Sequence, residues 1–367
     1  MIRQVLLAGL TVVISLLSLL AKSGIGNDLH IYTYVALVVG ILFLAMPIGR
    51  TLSSGHARQR EFFLTLALVL VFLVWPATQK NLEQGLEYIW LLAFAYVFGL
   101  LSLSQEDVRA VAFGAGVFAF TVVVSRVVLN MLAGWNNNDI AMTGFVGCAV
   151  FSAAPWRTWL QKIAHKVFLV VMTLLMLALD SRSCVTGCLI LSVFAFGLIK
   201  PRIFVKKTWL RRLVLVFPAL IALGTVLFQN SPMFDKMNTW SMEYFNKPIF
   251  NGRNTIWEEG FENLTQSPLL GNGYINNGYW HNCAITVLAG FGLVGYTVWV
   301  WYFENIMVET ERWREDKTLA LCVVSFLTIM VQQSFELGLV STGGSMLPYL
   351  ILGIMLGRMR HLKEIEG

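Results

Sequence analysis

Asn251-Gly252-Arg253-Asn254-Thr255-Ile256-Trp257-Glu258-Glu259, then Pro268-Leu269-Leu270-Gly271-Asn272-Gly273-Tyr274, then Tyr279-Trp280-His281, with Asn282 next: these runs lie within 229–281, the longest interval of the 367-residue chain without a membrane-length apolar run. An arginine, a glycine-rich turn and a histidine stand together there, and an apolar helix follows. The chain on either side decides what kind of protein carries this interval. It is 57% hydrophobic and 13% charged, with a mean hydropathy of +0.68. Soluble chains are about one-quarter charged. The apolar residues fall in continuous runs of roughly 17 to 25, enough to cross about 30 Å of hydrocarbon as helix. Continuous rather than alternating runs select helices over a barrel.

We read an all-α polytopic membrane protein, a single transmembrane domain over 1–367. About 12 spans are expected, near 5–21, 31–49, 62–76, 86–103, 110–133, 140–155, 167–180, 183–199, 213–228, 291–308, 318–335 and 341–357. Whether 282–290 forms its own short helix before the tenth span is left open. Residues 5–21 read as a first span rather than a cleaved leader, because no small-residue cleavage pattern follows Lys22. The interval 229–281 is a large loop with short helices between spans 9 and 10.

An even number of spans puts both termini on one side. Of the 27 Lys and Arg residues, Lys22, Lys80, Arg182, Lys236, Lys247 and Arg253 fall on the opposite side and Arg126 falls inside the fifth span. The remaining twenty share the side of the termini, which the positive-inside rule makes the cytoplasm. The pI of 9.1 therefore reports membrane topology, and no nucleic-acid partner is expected. The loop, the Asp180–Ser183 turn and the Gly134–Asp139 turn all fall outside. The five cysteines lie mostly within apolar runs and read as small hydrophobes, with no disulfide framework and no metal site.

Four residues could carry chemistry. Arg182 stands in a minimal polar turn between apolar runs; it reads either as an interfacial anchor paired with Asp180 or as a cation that meets an anionic headgroup, which its planar fork suits. Arg126 inside a span is a functional candidate by position, the alternative being a structural pair with a carboxylate such as Glu336. Arg253 precedes Trp257 and Phe261 at helical spacing, so a short helix from Asn254 to about Leu264, capped by Asn, would place it at an anion-attracting N-terminus. His281 is either an interfacial aromatic beside Trp280 or a base able to take a hydroxyl proton near neutrality. No P-loop, dinucleotide fingerprint or Gly-x-Ser-x-Gly elbow occurs, and the loop acids match no cation motif.

Taken in order, Ser181-Arg182-Ser183, Gly252-Arg253 with Trp257, Pro268-x-x-Gly271-x-Gly273, and His281-Asn282 before Gly292-x-x-Gly295 resemble the O-antigen ligase and polysaccharide polymerase superfamily of bacterial envelope enzymes. The turn Trp135-Asn136-Asn137-Asn138 resembles that family's outer Asn-Pro-Asn turn, with Asn137 in place of proline. The resemblance covers roughly 120–300.

It implies a GT-C-like glycosyltransferase of the bacterial cytoplasmic membrane, active on the extracytoplasmic face. Such an enzyme is metal-independent and inverting, and it needs no cofactor. It takes an undecaprenyl-pyrophosphate-linked oligosaccharide as donor and a glycan or lipopolysaccharide-core hydroxyl as acceptor. Arg182 and Arg253 would bind the donor pyrophosphate and His281 would be the catalytic base. Arg126, Asn138, Asn282 and Trp257 would contribute to substrate binding. Polymerase is preferred over ligase. A lipid-linked oligosaccharide flippase is the rival from another class; it would call for ionisable groups deep in several spans, whereas here only Arg126 is so placed.

Overall fold

The computed structural model describes residues 1–22, 59–132, 134–273, 280–340 and 346–366. The described residues fold as helices without strands: α1 (Ile2–Lys22); α2 (Gln59–Val69, continuing through a π-helical turn at Leu70–Val74 into Trp75–Thr78); α3 (Leu82–Gly99); α4 (Gln105–Val127); α5 (Asn137–Ser152); α6 (Trp159–Ala178); α7 (Arg182–Ala195); α8 (Arg202–Lys206); α9 (Thr208–Phe228); α10 (Pro232–Phe245); α11 (Arg253–Gln266); α12 (Cys283–Glu309); α13 (Lys317–Gln332); and α14 (Met346–Glu366). Helices stand at every expected span except 31–49, which lies outside the described residues. Among the described residues, five segments are long and apolar enough to cross a bilayer: Ile2–Leu20, Gln105–Val127, Trp159–Ala178, Thr208–Phe228 and Cys283–Trp313. Leu66–Thr78, Arg182–Ala195 and Lys317–Gln332 are shorter apolar helices. This is the build of a multi-pass helical membrane protein.

The helices start where polar caps allow, not where hydropathy rises. Ser104 and Asp107 close a capping box that begins α4 five residues before the expected 110, and Thr158 with Gln161 begins α6 eight residues before the expected 167. Each box satisfies two backbone groups that a helix end otherwise leaves open. Large apolar side chains on the outer faces, such as Phe113, Val117, Leu174, Leu177, Leu220 and Leu227, are exposed as a lipid-facing surface requires. Inside, α4 packs on α1 and α5, α6 on α7, and α14 on α3 and α13. All five cysteines are buried and free.

α12 settles the short-helix question. It breaks at Gly292 (φ 64°, ψ −167°), so a first segment ends at Phe291 before the long helix resumes. The break leaves the N–H groups of Leu293 and Val294 without partners in the helix. They donate to the carbonyls of Pro268 (2.9 Å) and Leu269 (3.0 Å), while Gly273 N–H donates to the carbonyl of Gly290 (2.8 Å). The Pro268–Gly273 turn is thereby stitched onto the broken helix, backbone to backbone. A Cβ at Gly292 would lie 2.3 Å from the Leu269 carbonyl carbon, and one at Gly271 would lie 2.4 Å from that of Gly290, so neither position can carry a side chain.

Candidate active site

Four connections meet at one end of the bundle and enclose a cavity of about 240 Å³. The turn into α5 contributes Asn136, Asn137 and Asn138. The turn into α7 contributes Leu179 to Ser183, the approach to α11 contributes Lys247, Asn251 and Arg253, and Glu336 enters from the segment after α13. Three helix N-termini therefore converge on one space. Those of α7 and α11 begin at Ser181 and Gly252 without a side-chain cap; at α5, Asn136 accepts from the N–H of Asn138. Unpaired N–H groups and the aligned peptide dipoles make such termini attract anions. Arg182, Arg253 and Lys247 stand on the cavity walls beside the carboxylates Asp180 and Glu336.

The partners of these cations differ from the sequence expectation. Arg182 is not paired with Asp180: its Nη2 donates to the carbonyl of Pro248 at 3.2 Å, and Asp180 forms an ion pair with Lys247. Arg126 does not take Glu336; its Nε and Nη1 donate to the side-chain oxygens of Asn137 and Asn130, each at 3.0 Å. It touches the cavity only through Asn137. Glu336 is engaged by Arg253 (Nη2 to Oε1, 3.1 Å), and its Oε1 also accepts from Ser183 Oγ at 3.3 Å. Asn254 is not the cap of α11, since Gly252 in the left-handed region precedes the first residue, Arg253. The Asn254 amide bonds Gln229 instead.

His281 lies beside the cavity, with Nδ1 4.0 Å from Glu336 Oε2 and its ring half-exposed. Partial burial, and then the nearby Arg253 guanidinium, hold its pKa below the ordinary 6.5, so the ring is neutral at pH 7 and able to accept a proton. Its backbone is strained at φ 45°. Asp180, Asn246 and Asn251 around the cavity also adopt positive φ, but Asp and Asn tolerate this better. Non-glycine residues in this region persist where the surroundings over-determine them.

Two expected substrate contacts supply those surroundings. Trp257 is fully buried and donates from Nε1 to the carbonyl of Trp280 at 2.7 Å. Asn282 is fully buried too: it caps α12 by accepting from the N–H groups of Ala284 and Ile285, and its amide donates to the carbonyls of Pro218 and Ser334, both at 2.9 Å. Neither side chain is among those that line the cavity. They clamp the peptide on both sides of His281. Of the remaining expected residues, Asn138 lines the cavity with Arg182 and Arg253. Glu336 and Lys247 are the additions. Glu336 carries a signal in the sequence as an acid flanking an apolar run, and its arginine partner stands on α11 rather than on α4.

Fold and cavity together define a helical membrane protein with a cavity of charged and polar side chains at one end of its bundle. Residues 167–300 match the family model described as O-antigen ligase. Over that segment, which is less than half of the chain, the protein is similar to the O-antigen ligase family. The match runs from within α6 to α12 and contains Arg182, Arg253 and His281; Arg126, Asn138 and Glu336 lie outside it. No curated protein matches the chain by sequence.

Proposed function

We propose that the protein is an inverting membrane glycosyltransferase that polymerises lipid-linked repeat units on the outer face of the bacterial cytoplasmic membrane. The observation that carries this reading is the meeting of Arg182, Arg253 and three helix N-termini around one cavity, with a neutral histidine at its edge. In this reading the donor pyrophosphate lies between the two arginines. The acceptor hydroxyl oxygen attacks the anomeric carbon as His281 removes its proton. The bond from that carbon to the pyrophosphate oxygen breaks, and its electron pair leaves with undecaprenyl pyrophosphate. Charge grows on the leaving group during this step, so fixed cations favour the transition state over the ground state. The donor is already activated, so no nucleotide, metal or covalent enzyme intermediate enters the scheme. Twelve spans, cytoplasmic termini and an extracytoplasmic 229–281 loop complete the proposal.

Ligation, the activity that the family's description names, is the second reading, with lipid A-core as the acceptor. Purified protein mixed with undecaprenyl-pyrophosphate-linked repeat units alone distinguishes them. A ladder of products without core supports the polymerase, whereas a single product that requires added lipid A-core means ligase. A flippase would move the donor without forming any new glycosidic bond.

A further inference from the structure

The geometry points to Glu336 as a positioning residue that passes from Arg253 to His281 when the donor pyrophosphate engages the arginine. The inference rests on the glycosyltransferase reading above and assigns a role to a residue outside the family-matched segment. Glu336 is mostly buried, its side chain 11% exposed, with its two oxygens turned to different partners. Oε1 takes Arg253 at 3.1 Å and Ser183 at 3.3 Å; Oε2 faces His281 Nδ1 at 4.0 Å, too long for a hydrogen bond and short enough to become one by about 1 Å of movement. Catalytic hydrogen bonds often tighten only in the complex with substrate.

The exchange follows from competition for one guanidinium. A pyrophosphate oxygen at Arg253 offers the arginine a second anion, which weakens its hold on Glu336. The freed carboxylate can then accept from His281 Nδ1–H. That bond fixes the tautomer with Nε2 as the proton acceptor and stabilises the imidazolium that forms as the hydroxyl proton arrives. The base would thus reach full strength only when the donor is in place. Among the described residues, the titratable groups around the pair are Arg182 and Cys184 on α7, Asp180 before α7, and Lys247 and Arg253 leading into α11. Asp180 and Lys247 pair with each other, so Glu336 is the carboxylate poised for the histidine.

Glu336→Gln, Glu336→Asp and Ser183→Ala test this in purified full-length protein, with folding checked by monodispersity and thermal midpoint. Undecaprenyl pyrophosphate serves as the binding probe and lipid-linked repeat units as substrate. For Glu336→Gln we expect kcat to fall about 10- to 100-fold, the scale usual for an orienting partner, while undecaprenyl pyrophosphate binds at least as tightly as to wild type. Loss of the negative charge lowers the His281 pKa, so the acid limb of the pH–kcat profile moves to lower pH. Glu336→Asp restores part of kcat. Ser183→Ala, which keeps the charge, leaves the pH profile in place and serves as the milder probe if Glu336→Gln does not fold: a kcat loss without weaker donor binding supports the role. Weaker donor binding in Glu336→Gln, or a kcat loss without a pH shift, would show a plain brace for Arg253 and overturn the inference. If wild-type protein forms no glycosidic bond with either acceptor, the functional reading fails. The exchange is then decided by the binding measurement together with an NMR titration of His281, whose pKa should rise more on adding undecaprenyl pyrophosphate in wild type than in Glu336→Gln.

Discussion

His281 carries the proposed proton transfer, and its surroundings fix the direction of its pH dependence. The neutral ring is the active form, and burial with Arg253 lowers its pKa below 6.5. kcat/KM, which reports the free enzyme, should therefore be flat around pH 7 and fall only on the acid side, at lower pH than an unperturbed histidine would give. His281→Ala should lower kcat by about 10²- to 10⁴-fold, the contribution of a positioned general base, and leave undecaprenyl pyrophosphate binding nearly unchanged. A pH–rate series and a binding isotherm on the same preparation check both. Unaltered turnover in the variant would end the general-base assignment. Arg253 offers a second test at this scale, because its planar fork grips phosphate and carboxylate in a way an ammonium cannot. Arg253→Lys keeps the charge yet should weaken donor binding and slow turnover about tenfold, the order of one charge-assisted hydrogen bond. Wild-type kinetics in that variant would mean that the fork is not used.

The break in α12 explains at the scale of elements why a glycine-rich turn and a distant Gly292-x-x-Gly295 occur in one chain. The turn supplies two carbonyls and one N–H to the groups released at Gly292, and the two backbones meet too closely for any Cβ. Gly292→Ala must place a side chain at φ 64° against Leu269, which should cost about 1–3 kcal/mol for the strain alone. A lowered thermal midpoint in detergent measures it. Gly224→Ala is the control: that glycine is helical in α9 with nothing near its Cβ position, so the midpoint should hold or rise. Equal midpoints for the two variants would refute the clamp. Periodicity alone exposed the apolar cores of these helices. Their starts came from the side chains of Ser104 and Thr158, and the join of the Pro268–Gly273 turn to α12 came from backbone hydrogen bonds across as many as 25 positions, which no local pattern records. The same limit applied to the site. Arg182, Arg253 and His281 were legible because each stands out against its neighbours, whereas the buried state of Trp257 and Asn282 depended on what packs over them.

Across the whole molecule, the charged groups separate into two ends of different character. The cavity end gathers the polar turns into α5, α7 and α11. The other end holds most of the Lys and Arg residues, and some are buried in ion pairs: Arg211 is fully buried in α9, held by Glu304 at 3.0 and 3.1 Å and by Glu311 at 2.8 Å, and Arg358 pairs with Asp316 at 2.8 Å. A buried arginine bound by two carboxylates ties α9 to α12 and its extension, and this pairing keeps a charge at the bilayer edge without leaving it unpartnered. Two ends this different should face different compartments, and the twenty-to-six division of basic residues predicts that the cavity end faces outward. The five native cysteines are buried, so background thiol labelling should be low. Lys236→Cys on α10 and Arg314→Cys beyond α12 occupy exposed positions at the cavity end and the basic end. In sealed spheroplasts a membrane-impermeant maleimide should label Lys236→Cys at once and Arg314→Cys only after permeabilisation. The reverse order would turn the cavity to the cytoplasm and remove the proposed substrate from its reach, while equal labelling of both before permeabilisation would place the two ends on one side and refute the span count.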